Sequence, residues 1–89
     1  MKISTKGRYG VRILLDLALH DSGEPRLIRD IAASQQISEK YISRLILDLR
    51  RAGMVHSIRG AKGGFRLARL PEDMTLLEIV EVMEGPLSI

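Results

Sequence analysis

Between Glu39 and Ala52 the chain sorts its side chains onto two sides of a helix. At about a hundred degrees per residue, Tyr41, Ile42, Leu45, Ile46, Leu49 and Ala52 fall in one broad apolar arc. Lys40, Ser43, Arg44, Arg50 and Arg51 fall opposite, with Leu47 the one apolar exception among them. Ser38 stands at the N-cap, Glu39 adds an acid where the helix dipole favours one, and Gly53 sits where a left-handed residue ends the helix. The pattern predicts a helix over residues 39–52, with one face for a core and the other for an anionic surface.

The same periodicity predicts a first helix over about residues 5–20 with Ser4 as cap. Val11, Leu14, Leu15, Ala18 and Leu19 supply its apolar repeat, and Tyr9 extends it. Gly7 and Gly10 each cost about 1 kcal/mol relative to alanine inside a helix, which points to close approach of another backbone or a ligand phosphate, or to a late start near Arg8. A short helix is expected over residues 28–35, with Ile28, Ile31 and Ala32 inward and Leu27 at a cap position it cannot fill. Gln36-Ile37 then leads into Ser38, the spacing of a helix-turn-helix, although Gln36 falls where a left-handed conformation comes more easily to glycine or asparagine.

Two β-prone runs, Val55 to Arg59 and Phe65 to Ala68, flank Gly60-Ala61-Lys62-Gly63-Gly64 and predict a hairpin. Thr75 with Glu78 forms a capping-box pattern ahead of Leu76, Leu77, Ile79, Val80, Val82 and Met83, and Gly85-Pro86 ends that last helix near residue 84. Helix, helix-turn-helix, hairpin and helix make one mainly α domain: a winged helix-turn-helix whose two-stranded wing spans about residues 55–68. The last helix is apolar around much of its circumference. A second subunit, chain beyond Ile89, or simple burial within this domain would account for the excess.

Charge sharpens this picture. The net charge is +3, but residues 1–12, 13–37, 38–69 and 70–89 carry +4, −2, +6 and −5. A basic stripe from the amino terminus, one helix and one hairpin suits a nucleic-acid backbone. The slim glycine tip with Arg59 and Lys62 suits a minor groove, where arginine meets enhanced negative potential. At 89 residues the chain buries only somewhat more than about 60% of its unfolded surface, and 45% apolar with 28% charged content places it among folded globular domains.

Several chemistries are excluded within these residues. With no cysteine there is no disulfide, thiolate zinc site or cysteine-ligated cluster. No phosphate loop or nucleophile elbow occurs, and His20 and His56 are isolated, so no enzyme is expected. No apolar run approaches the roughly 18 residues of a membrane span and no signal segment opens the chain, so a cytoplasmic location without a membrane partner is expected. Gly60-Ala61-Lys62-Gly63 matches a KH-type GXXG, but that loop joins two helices and this one two strands, so RNA is not the expected partner. A winged helix used for protein interaction is the alternative from another class, though the wing is basic rather than acidic or neutral.

The segments Lys2 to Gly10, Asp30 to Ala32, Ile37-Ser38 with Tyr41-Ile42, Leu49-Arg50 with Ala52-Gly53, Ser57 to Gly60 with Gly63-Gly64, and Glu84 to Pro86 resemble the Rrf2 family of bacterial transcription regulators. Within it the pattern is most similar to the cysteine-metabolism repressor and next to the iron–sulfur-cluster regulator. The resemblance implies a DNA-binding regulator that pairs as a homodimer through a long helix beyond this domain and binds a double-stranded operator. It also implies that an iron–sulfur cluster would need ligands past Ile89, with no cofactor in this chain. By matching position, Lys2, Thr5, Arg8 and Tyr9 are expected at phosphates, and Ser38, Lys40, Tyr41, Ser43 and Arg44 in the major groove. Arg59, Gly60, Lys62, Gly63 and Gly64 are expected in the minor groove. Tyr41 also lies in the core arc, and relatives often carry Glu and Gln at positions 43 and 44, so base preference does not transfer.

Overall fold

The computed structural model describes residues 3–60 and 63–85. Helix α1 (Thr5–Leu19) is followed by α2 (Ile28–Gln35), α3 (Glu39–Arg51), strands β1 (Val55–Ser57) and β2 (Phe65–Leu67), a 3-10 turn (Pro71–Asp73) and α4 (Leu76–Glu84). Each cap expected at a helix start is formed. The hydroxyls of Ser4, Ser38 and Thr75 accept from the backbone N–H of Gly7, Tyr41 and Glu78 at 3.0, 3.1 and 3.0 Å. Leu27 makes no side-chain cap.

Helix α3 ends as a Schellman motif. Gly53 takes φ 76°, its N–H donates to Arg50 O and the Met54 N–H to Leu49 O, both at 3.0 Å. Met54 and Leu49 are both fully buried, which supplies the apolar contact that accompanies the motif. Between α2 and α3, Gln36 adopts a left-handed conformation (φ 55°, ψ 46°) although it is neither glycine nor asparagine, and the Ile37 N–H closes back on Ala32 O at 3.1 Å.

Ile13, Leu14, Leu17, Ile31, Ile42, Leu45, Ile46, Leu49, Met54 and Val55 form one core with Ile79 and Met83 of α4. Helix α1 is rotated from its expected setting. Its buried stripe is Gly7, Gly10, Ile13, Leu14 and Leu17, whereas Leu15 and Leu19 are 54% and 78% exposed. Gly10 explains the rotation: a Cβ there would lie 2.5 Å from Met83 Cγ, whereas one on Gly7 would crowd Ile3 Cγ2 at 3.0 Å and meet Val80 Cγ2 only in ordinary contact at 3.6 Å. Close packing against a side chain of α4 is the role of Gly10. Leu76 and Leu77 of α4 remain about half exposed, and an apolar groove lined by Val11, Leu15, Ala18, Pro71 and Met74 runs alongside.

The wing strands pair antiparallel in the register Val55↔Leu67, His56↔Arg66 and Ser57↔Phe65. Arg26 adds a rung that the hairpin pattern did not reveal: its N–H donates to Phe65 O at 2.8 Å and the Phe65 N–H returns to Arg26 O at 2.9 Å. Gly64 permits this crossing, since a Cβ there would stand 2.7 Å from Pro25 Cβ and 2.9 Å from Arg26 O.

Candidate nucleic-acid interface

Because Ile42, Leu45, Ile46 and Leu49 are held in the core, the opposite side of α3 must face outward. Lys40, Ser43, Arg44 and Leu47 are all exposed on it, at the i, i+3, i+4 and i+7 positions of one face. From Lys40 to Arg51 this stripe rises about 16 Å at 1.5 Å per residue, a rod that the roughly 12 Å wide major groove accepts. Tyr41 resolves differently from its neighbours. It is half-buried, packs against the core, and meets the Tyr9 ring edge-on with centroids 5.6 Å apart. Ser38 is exposed while its hydroxyl serves as the α3 cap.

Ion pairing divides the basic residues that composition had grouped together. Lys6 pairs with Asp48 at 3.4 Å, Arg66 with Asp21 at 2.9 Å and Arg69 with Glu78 at 2.7 Å. Arg51 stands 4.0 Å from Asp48, and Arg50 donates to the Ser57 hydroxyl at 3.2 Å, tying α3 to the wing. Arg26 is held by Asp16, and Arg12 by Gln35. Among the described residues, Lys40, Arg44 and Arg59 are exposed and make no such pair, and Arg8 donates only to the neighbouring Thr5 hydroxyl at 3.4 Å. Arg29 on α2 is exposed in the same way; the acidic balance of residues 13–37 concealed it in the sequence.

In the wing, Gly60 and Gly63 take φ of 155° and 60° with open space around the missing Cβ of Gly60. Gly64 instead faces its own chain at Pro25 and Arg26, so packing is sufficient to require it. Lys2 and Lys62 lie outside the described residues.

Glu78 is held below the usual carboxylate range, chiefly by its hydrogen bond from Arg69, and Arg69 also donates to the Asp73 carbonyl, so one side chain ties the 3-10 turn to α4. Among the described residues no three His, Asp or Glu side chains gather to hold a metal, and no helix is long and apolar enough to cross a membrane.

Four helices, a turn of helix-turn-helix length and a two-stranded wing with unpaired cations on α3 define the winged-helix class of regulator domain. The Rrf2 family profile, described as an iron-dependent transcriptional regulator, matches residues 3–89, and the chain belongs to that family. The regulator CymR of Bacillus subtilis is 47% identical over 88 residues, which cover 99% of this chain and 64% of CymR. The solved structure of B. subtilis CymR, described as a global cysteine regulator, superposes with a TM-score of 0.88 at 45% identity, covering 97% of this chain and 67% of that one. The T. potens IscR structure gives 0.87 at 47% identity, covering all of this chain and 65% of that one. The chain thus spans about two thirds of the length of these relatives.

The iron dependence in the family description finds no ligand set here. The chain has no cysteine, and the described residues assemble no group of metal-binding side chains.

Proposed function

We propose that this chain is the operator-reading domain of a transcription regulator, with α3 in the major groove and the wing in the minor groove of duplex DNA. The observation that carries this reading is the sorting of cations. The fold pairs Lys6, Arg26, Arg66 and Arg69 with acids, and leaves Lys40, Arg44 and Arg59 exposed on the two elements a winged helix offers to DNA. Arg8 and Thr5 at the α1 start, with Lys2, serve as phosphate contacts. Ser43 and Arg44 face base edges, and the Gly60 to Gly64 loop follows the minor groove.

The functional unit is a homodimer completed by chain beyond residue 89, which also covers the exposed leucines of α4 and α1. Any iron–sulfur ligands would come from that same part of the protein. A dimer reads two half-sites one or more helical turns apart, and a single domain loses the second set of contacts. Electrophoretic binding to duplex DNA across a salt series tests both points. A steep loss of affinity with salt, and well over about tenfold tighter binding to a palindromic site when a dimerising segment is appended, support the reading. Salt-independent binding, or equal affinity of the single domain and the tethered dimer, contradicts it.

A further inference from the structure

Arg12 belongs by position to the basic amino-terminal segment, yet its guanidinium is used inside the fold. From α1 its Nε donates to Gln35 Oε1 at 3.1 Å and its Nη2 donates to the Gln35 backbone carbonyl. Gln35 is the last residue of α2, where helix carbonyls lack intrahelical partners and a cation is favoured, and α2 has no basic residue in its own last turn. The next residue, Gln36, is the single non-glycine with positive φ among the described residues. Arg12 therefore closes the end of α2 at the one point where the turn is strained. Its guanidinium carbon also lies 5.4 Å from the centre of the Tyr9 ring, and Tyr9 abuts Tyr41 in the first turn of α3 at an interplanar angle of 77°. On the other side, Gln35 Nε2 donates to the buried carboxylate of Asp16 at 3.2 Å.

From this we infer that Arg12 is a positioning residue for DNA reading: it grips the end of α2 directly and the start of α3 through Tyr9 and Tyr41, and so sets the angle at which α3 is presented. This rests on the regulator reading above. It assigns Arg12 no contact with DNA. The requirement is for a planar fork that can hold two oxygens and stack on a ring, which lysine does not supply.

The test compares Arg12→Lys and Arg12→Gln in the full-length protein, on operator and on random duplex DNA, over a salt series. Arg12→Lys is the informative variant because it keeps the charge, and it carries the test if Arg12→Gln does not fold. The ratio of operator to random affinity should fall by about tenfold in both variants, a loss of the size a displaced base contact produces. The salt slope should stay unchanged. Amide exchange at Ile37 and Tyr41, measured without DNA, should rise in both. If Arg12 were instead a phosphate contact, Arg12→Lys would behave like the unsubstituted protein and Arg12→Gln would lower the slope by about one unit on both DNAs; that result overturns the proposal. Unchanged exchange at Ile37 and Tyr41 overturns the positioning role irrespective of DNA. Absence of salt-dependent DNA binding by the unsubstituted protein would instead refute the regulator reading while leaving the exchange result to decide what Arg12 holds.

Discussion

Arg26 Nε donates to Asp16 Oδ1 at 2.8 Å, and the Asp16 side chain is wholly removed from solvent. The same Arg26 pairs its backbone with Phe65 at the base of the wing, so one residue joins α1, the approach to α2 and β2. Burial raises the Asp16 carboxyl, but hydrogen bonds from Arg26, Ser34 and Gln35 and the charge of Arg26 outweigh it and hold the group below the usual carboxylate range.

Removing Arg26 leaves that carboxylate buried without its cation. Arg26→Ala should cost about 3–5 kcal/mol in denaturant unfolding, the range for breaking one partner of a buried pair. The sign of the pH effect follows from the depressed folded-state value. Stability from Asp16 is fully present above its unfolded value of about 3.9 and is lost as pH falls through the lower folded value. An Arg26→Ala protein with near-native stability, or an unsubstituted protein whose Asp16 contribution fades near neutrality, would show that the pair is not the clamp.

The α1–α4 seam gives a second expectation. Alanine at position 10 gains about 1 kcal/mol of helix propensity, but its methyl would stand 2.5 Å from Met83 Cγ and 2.6 Å from its sulfur, and Met83 is buried. Overpacking costs about 1–3 kcal/mol, so Gly10→Ala should be net destabilising in thermal melts. A raised melting temperature would mean that Met83 has room to turn aside.

Recognition and folding separate on α3. Arg44→Ala should leave the melting temperature nearly unchanged and relax discrimination among operator variants by about 1–3 kcal/mol. Leu45, fully buried, is its counterpart: Leu45→Ala should lower stability by about 2–5 kcal/mol. Exchanged phenotypes would mean the reading face is misassigned.

Arg59 follows β1 by two residues, and in the sequence Lys62 falls between Gly60 and Gly63. Lys62→Ala should weaken binding to every sequence alike and reduce the salt slope by about one unit, the behaviour of a phosphate anchor. Arg59→Ala should lose preference for AT-rich flanks. Equal losses on AT-rich and GC-rich flanks for Arg59→Ala would reduce the wing to an electrostatic clamp.

Local signals carried much of this fold. Ser4, Ser38 and Thr75 mark helix starts by their own hydroxyls, Gly53 marks an end, and the turn spacing singled out Gln36 as the position for a left-handed residue. What escaped was set by partners distant in sequence. The rotation of α1 depends on Met83 meeting Gly10, about seventy residues away, and no period within α1 distinguishes the Ile13–Leu17 face from the Leu15–Leu19 face. Asp16 reads as a surface acid until Arg26 and Gln35 are brought to it. Counting charges by segment likewise merged cations that bind acids within the fold with those that do not: Arg66 and Arg44 are equal in a tally, but of the two only Arg66 is ion-paired.

That distinction is tested most directly by the salt dependence of operator binding in two variants of the full-length protein. In one, Lys40, Arg44 and Arg59 are replaced together by alanine; in the other, Arg66, which pairs with Asp21, is replaced alone. The triple variant should lose most of its preference for operator over random DNA and lower the slope of log affinity against log salt by about one unit or more, while Arg66→Ala leaves both unchanged. An unchanged slope in the triple variant, or a drop of about one unit from Arg66→Ala, would show that the cations left exposed by this fold are not the ones that meet DNA.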